Sequence, residues 1–174
     1  MNYGNIGTHR AGPAVIIAVV VLLDRFTKWW IMAHLPAWDT YTIVPGAINI
    51  VHAENPGAAF GIFSEGHPLL RAAVLVGIST IVLVFIARLL WYPPRPAVAE
   101  PPLLRVSLAL VFAGALGNLI DRVLRGKVTD FVQVFIGWYE FPAFNVADSA
   151  ITVGATLLIA GLLRAELHRK RAAR

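Results

Sequence analysis

Four stretches of the chain, roughly residues 14–33, 69–90, 103–124 and 145–163, are apolar almost throughout and each is about 20 residues long. Wound as a helix, that length spans the hydrocarbon core of a bilayer. Backbone N–H and C=O groups find no partner in hydrocarbon, so a spanning segment must satisfy its own or belong to a closed barrel. No segment shows the alternating pattern of a barrel strand. The sequence therefore predicts an all-α membrane protein, one domain of four transmembrane helices. Composition agrees: 57% of the 174 residues are hydrophobic and 14% charged, with mean hydropathy +0.68. A water-soluble domain carries about 25% charged residues.

The basic residues give the orientation. The segment His34–Pro68 has Asp39, Glu54 and Glu65 but no Lys or Arg. The tail RAELHRKRAAR (residues 164–174) is heavily basic, and Arg88, Arg95 and Arg105 flank a Pro-rich loop. The positive-inside bias puts the tail, that loop and both termini in the cytoplasm, with 34–68 outside. The net charge of +5 then signals topology and contact with membrane lipids rather than nucleic acid. The first apolar run leads into DRFTK and WWIM, not a small-residue cleavage site, so it reads as a retained helix. Arg122, Arg125 and Lys127 break the bias and predict a basic cluster at the outer surface. Between the first two spans, β-rich runs (Tyr41–Val44, Ile48–His52) flank a Pro-Gly turn. They predict a small outer sheet, with a Gly-rich loop from Asn55 to Gly61 as a candidate lid.

An ionisable group inside a span costs about 2.5–3.5 kcal/mol on insertion scales, so each one calls for a reason. Asp24 and Lys28 stand four apart in span one, the spacing of a structural ion pair. Span three ends GALGNLIDRVLRGK, where Gly114, Asn118, Asp121 or Arg122, and Arg125 share a helix face. Gly114 and Gly117 leave room for another helix or for a substrate. The stripe is either helix–helix glue or a substrate face. Asn145-Val-Ala-Asp148 has the form of a capping box opening span four, which accounts for Asp148 but not for Asp130 in the preceding outer loop. Topology puts both acids at the outer interface with 17 residues between them. Two carboxylates sharing one proton can act as general base and general acid on a water, which amounts to amide hydrolysis without a metal or other cofactor. Unrelated caps are the bland alternative. The five histidines are scattered with no His-Glu-x-x-His, no outer Ser pairs with a Lys, there is no cysteine and no nucleotide-binding glycine loop.

DRFTK, NPGAAFG, GALGNLIDR, VTDF and FNVADS, in this order over four apolar spans, resemble the bacterial lipoprotein signal peptidases of the type II, aspartic family. The resemblance implies a small outer sheet beside a short surface helix, and a multi-pass protein of the bacterial inner membrane. It implies a monomeric endopeptidase that cuts lipid-modified prolipoproteins just before the diacylglyceryl cysteine. Asp130 and Asp148 then match the catalytic pair. Asn55, Gly57, Asn118, Arg122 and Asn145 fall to the substrate site, to which the helix stripe adds Gly114, and Asp24, Lys28 and Asp121 fall to its polar support. Two rivals remain: a small transporter or assembly factor using its buried acids for proton relay or helix contact, and another kind of intramembrane aspartic protease. Acids at the outer edge speak against the first, and the lack of Gly-x-Gly-Asp against the second.

Overall fold

A computed structural model of the chain describes residues 6–57, 68–92 and 102–172. The elements run α1 (Ile6–His34), β1 (Thr40–Val44), β2 (Ile48–Asn55), α2 (Pro68–Trp91), α3 (Pro102–Arg125), β3 (Val128–Ile136), β4 (Tyr139–Phe144) and α4 (Val146–Ala172). Helix α3 is central: it packs on each of the other three helices, and most extensively on α4. Glycine makes that contact possible. A Cβ on Gly114 would sit 2.2 Å from the Ala147 carbonyl oxygen, and one on Gly154 would sit 2.8 Å from that of Ser107. The two backbones approach this closely because neither position carries a side chain.

Three helical segments, Leu69–Trp91, Pro102–Arg125 and Val146–Arg171, are long and apolar enough among the described residues to cross a membrane. Helix α1 is longer but carries Asp24, Arg25 and Lys28 in its C-terminal half. Asp24 and Lys28 are fully buried and face α3 and α4, while Leu22, Phe26 and Trp29 point outward. The basic tail is not a separate element, since α4 continues through it to Ala172.

The second outer segment departs from the sequence expectation. Residues 128–144, expected to be loop, form two strands that join β1 and β2 in an antiparallel sheet of order β1-β2-β3-β4. The chain is thus mostly helical with a four-stranded sheet, not all-α. Asp130 stands on β3, opposite Ala53. Cross-strand partners share a face, and the faces differ in kind. One carries Thr42, Asn49, Gln133 and Glu140, with Phe135 opposite Glu140; the other carries Val44, Ile48, Val134 and Phe141, with Ile136 opposite Tyr139. Alternation along β3 puts Asp130 on the apolar side. All four described helices are long, so no short surface helix is seen among the described residues. The lid expectation falls mostly on residues 58–61, outside them.

Gly114→Ala should lower Tm in detergent by an amount equivalent to about 1–3 kcal/mol, because the new methyl collides with the α4 backbone. Gly77→Ala on α2, where nothing lies within 4 Å of the added carbon, should be neutral or raise it. Equal responses would mean that α3 and α4 are not in close contact.

Candidate active site

The capping box at the start of α4 forms as its sequence suggests. The Asn145 backbone N–H donates to Asp148 Oδ2 (3.1 Å), and the Asp148 N–H donates to Asn145 Oδ1 (2.9 Å). The Asn145 side chain has a second task. Its Nδ2 donates to Asp130 Oδ1 at 2.7 Å, so one buried asparagine touches both acidic residues across the gap between β3 and α4. The two carboxylates that sequence spacing paired are brought to one site.

Each acid receives a further asparagine. Asn55 Nδ2 donates to Asp130 Oδ2 at 3.0 Å, and Asn118 Nδ2 donates to Asp148 Oδ1 at 2.7 Å. Neither amide is free to flip. The Gly57 backbone N–H donates to Asn55 Oδ1 (2.8 Å), which turns the NH2 group toward Asp130. Gly57 has φ +89°, and a Cβ there would lie 2.1 Å from Leu75 Cδ1 on α2. The turn that orients Asn55 therefore requires glycine. Asn118 Oδ1 accepts from Lys28 Nζ at 3.0 Å. An ammonium can only donate, so it fixes the carbonyl end of Asn118 on its own side and the amide end on Asp148.

Lys28 also donates to Asp24 Oδ2 (2.9 Å) and forms an ion pair with Asp121 Oδ2 (2.7 Å), an oxygen that accepts no hydrogen bond among the described residues. Arg25 pairs with the second Asp121 oxygen at 2.5 Å, and the Ala147 N–H donates to Asp24 Oδ1 at 3.1 Å. Two acids and two bases, all but Arg25 fully buried, thus close a charge-balanced network that joins α1, α3 and the first turn of α4. Gly117 admits it, since a Cβ there would fall 2.7 Å from Asp24 Oδ2. Gly114, expected in the substrate set, faces the α4 backbone.

Burial, then the negative charge of Asp148, push the Asp130 carboxyl up from 3.8 to about 6; hydrogen bonds from Asn55 and Asn145 act the other way. Beside Asp148 a cavity of about 300 Å³ opens between α2, α3 and α4. Its polar end is Asn118, Arg122 and Asp148, and its apolar walls include Val82, Val111, Ala115 and Ile151. Arg122 lies within electrostatic range of both acids, and its buried Nε has no hydrogen-bond partner among the described residues.

The expected outer basic cluster divides. Arg125 and Lys127 both pair with Glu54 on β2, which lowers that carboxyl's pKa chiefly through Lys127. Arg122 alone faces the cavity. Sequence reasoning passed over Arg25, although it sits in the quoted DRFTK next to Asp24. It also passed over His52, whose Nδ1–H donates to the Leu35 carbonyl (2.7 Å) and ties β2 to the end of α1. A lone strand histidine gives no sequence signal of that.

The family described as signal peptidase (SPase) II matches residues 16–164. A lipoprotein signal peptidase of Solibacter usitatus (strain Ellin6076) is 43% identical over 152 residues, covering 86% of this chain and 88% of that protein. One of Syntrophus aciditrophicus (strain SB) is 38% identical, covering 89% and 94%. A bacterial membrane enzyme solved by the in meso method superposes with a TM-score of 0.75 at 36% identity, covering 88% of this chain and 93% of that one.

Asp130 holds its proton to a higher pH when folded than when unfolded. Stability should therefore fall as pH rises from about 4 to about 6. Asp130→Asn should remove that dependence and melt above the wild type at pH of about 7.5, with the gap closing below pH ~4. A variant that is less stable than wild type at the higher pH would show that Asp130 is not destabilised by its burial.

Proposed function

The chain belongs to the signal peptidase II family, and from that premise we infer what it does: it is a membrane hydrolase that removes signal peptides from prolipoproteins, with Asp130 and Asp148 as the catalytic pair. The observation that carries this assignment is the Asn145 bridge, which holds two carboxylates at one site beside a cavity of about 300 Å³.

The environments divide the roles. Asp130, with its carboxyl raised to about 6 by burial and the neighbouring acid, holds the shared proton. Asp148, in the first turn of α4 where the helix dipole favours negative charge, is the ionised base. Asp148 takes a proton from water as the water oxygen attacks the scissile carbonyl carbon, and Asp130 gives its proton to the carbonyl oxygen. When the tetrahedral intermediate collapses, the C–N bond breaks, the leaving nitrogen takes the proton held by Asp148, and the gem-diol returns a proton to Asp130. Asn55, Asn118 and Asn145 keep both carboxyls aimed, and Arg122 offers its guanidinium to an oxygen of the substrate.

The bond cut is the one before the diacylglyceryl cysteine of a lipid-modified prolipoprotein. All four helices cross the membrane with both termini cytoplasmic. In support of α1 as a span, the three charges in its C-terminal half are paired among themselves and with Asp121, and the large side chains it exposes, among them Leu22, Phe26 and Trp29, are apolar. In support of an outer-face site, the apolar side of the sheet carries Asp130 and, further along, Ile136, Tyr139 and Phe141, all exposed. That surface lies on the outer leaflet, where aromatic side chains are favoured.

Asp130→Asn and Asp148→Asn should each insert normally and lose on the order of 10³-fold or more in cleavage rate, read by gel shift of a purified lipid-modified prolipoprotein, while unlipidated substrate stays uncut by the wild type. Processing at a normal rate by either variant would remove that acid from the mechanism.

A further inference from the structure

Ser79 lies on α2 and lines the same cavity as Arg122 and Asp148. A serine or threonine inside a helix commonly turns its hydroxyl back to a carbonyl one turn earlier. Thr80 does so here, donating to Val76 at 2.7 Å, and so do Thr27, Ser107, Ser149 and Thr156. The Ser79 hydroxyl makes no hydrogen bond among the described residues. Across the cavity, the buried Arg122 Nε–H is in the same condition. A guanidinium N–H can only donate, and a buried donor left without an acceptor is costly. A molecule that satisfies both groups must therefore present an acceptor oxygen.

The cavity also has an open side. Helix α2 rests on α3 but makes almost no contact with α4, so a segment in the membrane can reach Asp148 sideways between them, passing Ser79 on the α2 wall.

We propose that Ser79 is a specificity-determining residue of the peptidase reaction, donating with Arg122 to a carbonyl oxygen of the substrate next to the bond that is cut. The assignment rests on the peptidase function proposed for this chain. Two carbonyls have the right chemistry: a peptide carbonyl of the signal sequence and an ester carbonyl of the lipid on its cysteine. Because the hydroxyl has no partner among the described residues, deleting it removes no hydrogen bond there, and the effect to be read is the one on the substrate.

The test uses the full chain in detergent with Ser79→Thr and Ser79→Val, two side chains of nearly equal shape that differ in the hydroxyl. Both should melt within a degree or two of each other. Ser79→Thr should keep a KM near the wild type for a diacylglyceryl prolipoprotein, and Ser79→Val should raise it by about 3- to 10-fold with kcat changed less than about twofold, the effect of one lost neutral hydrogen bond. A substrate whose lipid is ether-linked, and so lacks the ester carbonyl, separates the two acceptors. If the Thr–Val difference persists, the acceptor is the peptide; if it vanishes, the acceptor is the ester. Equal KM for Thr and Val on both substrates overturns the proposal and leaves the peptidase reading intact. No cleavage by folded wild type overturns that reading itself.

Discussion

The Lys28 ammonium is the interaction on which the rest of the structure depends. It donates to Asp24 and Asn118 and forms an ion pair with Asp121, all within 3.0 Å. An ammonium in an apolar interior is tolerable only when it is paired and hydrogen-bonded. Here the pairing is also architectural: Asp24 lies on the same helix, Asp121 and Asn118 lie on α3, and Asp24 reaches on to the first turn of α4. Removing one member would leave an unpaired buried charge, which costs about 3–5 kcal/mol. The network therefore sets the relative position of three helices more sharply than apolar packing alone, since leucine side chains in lipid gain little by exchanging one apolar neighbour for another.

The same lysine reaches the acids through a side-chain amide. Because Lys28 accepts nothing, Asn118 has one orientation, and Asp148 always meets an N–H. Asn55 is oriented similarly by the backbone of Gly57, and Asn145 by its own cap. Three amides, each fixed from behind, hold two carboxylates that would otherwise repel or turn away. The cost falls on Asp130, which is kept buried beside a second acid with its carboxyl raised to about 6. A group held in this way weakens the fold at neutral pH and keeps its proton to a higher pH than an ordinary aspartate does.

Much of this was legible in the sequence. The apolar runs and their charges gave the helices to within a few residues at most ends, because bilayer thickness fixes helix length. Asn145 and Asp148 were readable as a cap because a box of that form acts within one turn. The pairing of Asp130 with Asp148 came from which ends of which helices face the same way. What failed was β3 and β4. Residues 128–144 hold a Gly-Trp turn and a Pro within an apolar run, and their strand character comes from pairing with β2, some 80 positions earlier. No local pattern records that. Gly114 was legible as a site of close approach, but not which neighbour approaches, since a glycine accommodates a helix and a substrate equally well.

The sheet also explains why the acids can be separated so widely in sequence from Asn55. Strand β2 must place Asn55 beside Asp130 while Ala53 pairs opposite it, and the register shift between Ile50 and Ala53 makes this possible. An extra residue on β2 at that point bends the strand and re-aims the residues beyond it, the usual consequence of a bulge. Past the bulge the strand brings Glu54 onto Lys127 and Arg125, at the end of α3 and the start of β3. That pairing fixes β2 against the same two elements that carry Asn118 and Asp130. The position of Asn55 is thereby set by α3 and β3 together, and the distance between the two carboxyl groups is held from both the helical and the sheet side of the molecule.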